Sequence, residues 1–131
     1  MEDIWQPLWK MQDYDNATSV EFKLEVPCLI KLTGIMIHGY KEVIDNFIEN
    51  NALIEIFLND KNIYNLTMHM CEIVQDGVTF LKRRFVIPVT MNKGDIARVF
   101  ISEIRPIKGK VNNLKMTVTL EGYRKKLLGE K

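Results

Sequence analysis

Two stretches near opposite ends of this chain alternate strictly between apolar and polar residues, a period that a helix cannot accommodate on one face. Val20, Phe22, Leu24 and Val26 alternate with Glu21, Lys23 and Glu25, and Pro27 closes the run. Leu114, Met116, Val118 and Leu120 alternate with Lys115, Thr117, Thr119 and Glu121. Successive side chains of an extended chain point to opposite faces, so each run offers one face to a core and the other to water. The chain must therefore supply a second layer to cover those apolar faces.

The residues between the two runs read as further strands divided by turns. Cys28 to Ile37 is apolar on both faces, as a central strand covered on two sides would be, and Gly34 in its middle suggests a bulge or a close backbone approach. Leu53 to Leu58 and Ile63 to Ile73 form two strands around the turn Asn59-Asp60-Lys61-Asn62. Gln75-Asp76-Gly77 is a second turn, followed by strands over Val78 to Leu81 and Phe85 to Thr90. Asn92-Lys93-Gly94-Asp95 is a third, with glycine where a positive φ is needed, and Ile96 to Ser102 continues as a strand. Arg105 to Asn113, with Pro106 and Gly109, reads as a loop. One stretch has a different period. Tyr40, Val43, Ile44, Phe47 and Ile48 make the stripe of an amphipathic helix over Lys41 to Asn50.

These elements specify an all-β fold, an antiparallel sandwich of jelly-roll or immunoglobulin-like type with about eight strands and one short helix. The Cys…Trp…Cys pattern of an immunoglobulin domain is missing, because Trp5 and Trp9 precede the first alternating strand. Residues 1–18 are expected to be an N-terminal arm and residues 19–131 the sandwich domain. Trp5, Pro7, Leu8 and Trp9 in the arm either fold back on their own domain or anchor in a neighbour, since tryptophan is enriched at interface hot spots.

At 131 residues the chain fits a single domain, and 47% hydrophobic with 27% charged residues excludes global disorder. A net charge of +1 implies no overall pull towards nucleic acid or membrane. The start, Met1-Glu2-Asp3-Ile4-Trp5, lacks the basic and apolar stretches of a signal peptide, so the expectation is a protein kept in the cytosol that makes it. Without a secretory leader, Asn16-Ala17-Thr18 and Asn65-Leu66-Thr67 read as chance matches to the glycosylation triplet. Cys28 and Cys71 are too few for a disulfide framework and read as small core residues.

The residues point away from catalysis. No phosphate-cradling glycine loop, nucleophile elbow or helical metal motif is present. His69 and Cys71 would share one face of a strand, but nothing orients the base or lowers the thiol pKa. Cys28, His38, His69 and Cys71 are the right types for a four-coordinate zinc, yet their spacing is that of no usual finger, and no metal or other cofactor is expected. Lys82-Arg83-Arg84 and Tyr123-Arg124-Lys125-Lys126 are the dense basic runs, read either as solvated surface or as contacts to an acidic partner face. With no aromatic interleaving in the first, a nucleic-acid module is disfavoured.

Two segments carry a resemblance. Phe85-Val86-Ile87-Pro88-Val89-Thr90-Met91-Asn92-Lys93-Gly94-Asp95 leads into Ile96-Ala97-Arg98-Val99-Phe100-Ile101, and Leu114 to Arg124 closes the chain's pattern with Gly122-Tyr123-Arg124. An Ile-Pro strand, a Gly-Asp turn and a closing strand ending Gly-Tyr with a basic residue resemble the C-terminal half of small jelly-roll structural proteins of bacteriophages and related viruses. The likeness covers roughly a third of the chain, and the helical stretch Lys41 to Asn50 departs from it. It implies a non-enzymatic virion component: a capsid auxiliary, decoration, fibre or connector-associated subunit. Such a subunit would pass from host cytoplasm into the virion and contact its own copies or the major capsid protein. On this expectation the interface residues are Trp5, Leu8, Trp9, Tyr14, Arg83, Arg84, Tyr123 and Arg124. The alternative is a carbohydrate- or small-ligand-binding sandwich, with Tyr14, Tyr40 or Tyr123 stacking on a sugar.

Overall fold

The computed structural model describes residues 3–14, 19–75, 79–102, 114–126 and 129. In chain order these form β1 (Asp3–Trp5), β2 (Leu8–Tyr14), β3 (Val20–Glu25), β4 (Ile30–Gly39), α1 (Lys41–Glu49), β5 (Leu53–Leu58) and β6 (Lys61–Thr67). A 3-10 turn (Met68–Met70) follows, then β7 (Glu72–Gln75), β8 (Thr79–Met91), β9 (Ile96–Ser102) and β10 (Leu114–Lys125). The described strands make two antiparallel sheets. The larger runs β1-β10-β4-β8-β7, with β2 also paired to β10, and the smaller runs β3-β9-β5-β6.

Cross-strand rows show why the alternation works. In the small sheet Val99 stands between Phe22 and Ile56, and Ile101 between Val20 and Ile54. In the large sheet Ile37 stands between Val118 and Leu81. Phe22, Ile54, Ile56, Val99 and Ile101 face Leu32, Ile35, Ile37, Leu81, Met116 and Val118 across a continuous buried core. Each large side chain so buried contributes about 1.5–3 kcal/mol. On the apolar sides of their elements, Phe22, Leu24, Ile30, Leu32, Ile56, Met68, Val99, Ile101, Met116 and Val118 are all buried.

The helix forms where its stripe predicts. Val43, Ile44 and Phe47 are buried, and α1 packs against β4, β8 and the 3-10 turn. It stops because Asn51 adopts φ 48°, and the backbone N–H groups of Asn51 and Ala52 return to the carbonyls of Ile48 and Phe47. That is a Schellman ending with asparagine in the left-handed position. Asn59 (φ 50°) and Asp60 (φ 67°) make the tight β5–β6 hairpin turn. Asn59 also ties that turn to the next: its amide donates to Asp95 Oδ1 at 2.9 Å, and its Oδ1 accepts from the Ile96 N–H at 2.9 Å.

Three expectations are corrected. The described part of the expected arm, residues 3–14, lies in the large sheet: β1 and β2 are two pieces of one edge strand, broken at Gln6-Pro7, and both pair with β10. The tryptophans are thus strand residues. Ile63 to Ile73 is not one strand, because the 3-10 turn separates β6 from β7, which belong to different sheets. Val78 to Leu81 and Phe85 to Thr90 are not two strands with a break; from Thr79 they are the single β8. The turn Gln75-Asp76-Gly77 and the loop Arg105 to Asn113 fall wholly or largely outside the described residues.

The new edge strand also closes one side of the sandwich. Leu8 of β2 is buried, while Lys10 Nζ and Gln12 Nε2 reach across to the carbonyls of Lys23 (3.3 Å) and Glu21 (2.9 Å) on β3. Those are outward carbonyls of an edge strand, and the two side chains occupy them.

Candidate functional site

The outer face of the large sheet carries the chain's most unusual surface. On β2 the outward positions are Trp9 and Met11, 63% and 52% exposed. Row by row, Trp9 continues into Thr119 and Met36, and Met11 into Thr117 and His38, with His38 stacked on Phe80 at 4.8 Å. A third outward row, Trp5 and Tyr123 followed by Lys31 and Thr90, lies further along the sheet. Between these rows the pairing is irregular, and a groove opens.

Thr33 causes the irregularity. Glu121 and Gly122 are consecutive on β10, yet they pair with Gly34 and Leu32 of β4, so Thr33 is an extra residue on that side. On its other side Leu32 pairs with Val89 and Gly34 with Arg84, so Phe85 to Pro88 bulge out opposite the same residue. A β-bulge bends the strand and re-aims the neighbouring side chains. Glycine is needed where the strands close up around it. A Cβ on Gly34 would sit 2.7 Å from the Arg83 carbonyl, and one on Gly122 would collide with Ile30 Cγ2. The Thr33 hydroxyl is satisfied by the Glu121 carbonyl at 3.3 Å.

The resulting groove holds about 450 Å³ and is lined by Trp5, Thr33, Lys82, Arg84, Glu121 and Tyr123. Lys82 and Glu121 form an ion pair at 3.3 Å across β4, with Glu121 the more buried partner. Arg84 is exposed, and among the described residues no carboxylate lies in salt-bridge range of its guanidinium. The cavity is of the size that small-molecule sites have, with convergent polar groups and aromatic walls.

The structure gathers some of the expected interface residues and separates the rest. Trp5, Arg84 and Tyr123 meet in the groove, and Trp9 stands further along the same face. Leu8 is buried in the domain's own core, apart from the groove. Arg83 turns to the sheet margin, where Nη1 donates to the Met70 carbonyl at 3.2 Å. Arg124 Nε donates to Gln6 Oε1 at 3.1 Å, bracing the break between β1 and β2. Tyr14 ends β2 opposite Leu114. Tyr40 lies at the start of α1, away from the groove. Thr33, Glu121 and Met11 were not singled out by sequence; Lys82 was, only as part of a basic run. Strand alternation within that run does separate Lys82 and Arg84 from Arg83, which is the signal that was available.

Cys71 and His69 do not share a strand face. His69 is exposed on the 3-10 turn, and Cys71 follows it, half-buried, with Sγ donating to the Thr67 carbonyl at 3.6 Å. Burial pushes the Cys71 thiol above its ordinary pKa, against the opposing pull of Arg83, the reverse of what a nucleophilic thiol needs. Among the described residues no three His, Cys, Asp or Glu side chains cluster as metal ligands would. No described helix is long and apolar enough to cross a membrane. Neither a scan against protein-family models nor a search of curated proteins finds a match to the chain.

Proposed function

We propose that the protein is a non-enzymatic assembly subunit of a virion, of the capsid auxiliary or decoration kind, acting through contacts with its own copies and with capsid subunits. The observation that carries this reading is the exposed line of Trp9 and Met11 on the outer sheet face, continued by Met36 and the His38–Phe80 pair. Aromatic residues and methionine are enriched at protein interfaces, and large side chains of this kind dominate their energetics. A sheet face that buries them against a neighbour gains what a free monomer leaves in water.

Strand order supports the jelly-roll part of the reading. With β1 and β2 counted as one edge strand, the large sheet runs β1/β2-β10-β4-β8, extended past β8 by the short β7, and the small one β3-β9-β5-β6. First strand beside last in one sheet, second beside last-but-one in the other, is the nesting of two Greek keys, a plan used by viral capsid and lectin domains. The C-terminal resemblance points the same way.

Light scattering on the full chain, alone and with capsid particles, tests the proposal. The expected result is a defined oligomer or addition to particles, with Trp9→Ala weakening association by about tenfold or more, the scale of an interface hot spot. A protein that stays monomeric and adds to no particle sinks the reading.

A further inference from the structure

We infer that the groove over the double bulge is a binding site for an acidic saccharide, a sugar ring bearing a carboxylate. Three features of the groove converge on that class. Trp5 and Tyr123 oppose each other across β1 and β10 and are 52% and 42% exposed. An aromatic face is the electron-rich side of the ring, and the C–H face of a pyranose is its natural apolar complement. Arg84, on the opposite wall, supplies a guanidinium whose fork fits a carboxylate, and no carboxylate of the described residues claims it. On the floor between them, Glu121 and Lys82 offer an acceptor and a donor held in place by their own ion pair, which suits ring hydroxyls.

The spacing fits a short oligosaccharide better than a bare anion. From β1 to β8 the groove crosses three strand intervals, about 14 Å. A simple anion would need only Arg84 and would leave the aromatic walls unused. A nucleic acid would demand several cations along one track, whereas here Lys82 is already neutralised by Glu121. The bulges themselves are part of the argument. Thr33 has no cross-strand partner in the register of either neighbouring strand, and the groove opens over the bulge it makes. This site is separate from the Trp9–Met11 line and does not depend on the assembly reading.

Calorimetric titration of the full chain with trigalacturonate, with maltotriose and with sodium sulfate tests it. Trigalacturonate is expected to bind one to one, with tryptophan fluorescence changing in step, and maltotriose at least about tenfold more weakly, the scale of one charge-assisted contact. Arg84→Gln should lose about tenfold towards trigalacturonate and nothing towards maltotriose, at an unchanged melting temperature. Trp5→Ala should weaken both sugars. Absence of trigalacturonate binding at millimolar concentration, equal binding of maltotriose, competition by sulfate at equal concentration, or indifference to both variants would each overturn the inference.

Discussion

Phe22 has no exposed surface, and its row partners Val99 and Ile56 have none either. Truncation there leaves a void that three strands cannot collapse into, so Phe22→Ala should cost about 3–5 kcal/mol in a denaturant melt. Leu24→Asp, one row along, should leave no folded protein in the same measurement, because the core offers the carboxylate no partner. Asp95 acts through charge. Its carboxylate accepts from the Asn59 side chain and from the Asn92 N–H, and these bonds lower its pKa below the ordinary aspartate value, against a smaller opposing effect of burial. A depressed folded pKa means the stabilisation is fully present above the ordinary value and is lost as pH falls through the lowered one. Thermal melts should therefore show stability falling on acidification below the ordinary aspartate range. Asp95→Asn should flatten that part of the profile, and an unchanged slope would remove Asp95 from the account. Core residues of this kind were legible in the sequence because each sits in an alternating run. Thr33 was not, since a bulge is a relation between strands.

At the scale of elements, β2 shows why an edge strand escapes a pattern-based reading. Its inward positions are Leu8, Lys10 and Gln12, and its outward ones Trp9 and Met11, so the apolar and polar sides are nearly exchanged. Only Leu8 reaches the core; Lys10 and Gln12 face the seam between the sheets and bond to β3. Alternation presumes that inward means apolar, which fails where inward means the margin. The same logic hid the break between β6 and β7, as an apolar run does not reveal where a chain leaves one sheet for the other. Deleting residues up to Asp13 would uncover the whole β10 edge and remove Leu8. The expected outcome is a domain that no longer folds, or melts far lower, rather than an intact domain lacking an appendage. Circular dichroism with thermal melting decides, and a truncated protein as stable as the parent would make β1 and β2 dispensable. The helix was legible from its apolar stripe, and the tight turns because Asn59, Asp60 and Gly94 are types that take the positive φ those turns require.

For the molecule as a whole, the sealed flank between β2 and β3 limits how far the small sheet can grow by edge pairing. In the small sheet the two edges are unlike. β3 has outward carbonyls already taken by Lys10 and Gln12, whereas β6 is paired only with β5 among the described residues. In the language of polymer chemistry, the small sheet is a monofunctional unit. Two copies joined strand to strand through β6 would form a closed pair related by a two-fold axis, with no second open edge on the small sheet from which pairing could continue. For the small sheet, the side chains that close this sandwich therefore also act as chain terminators.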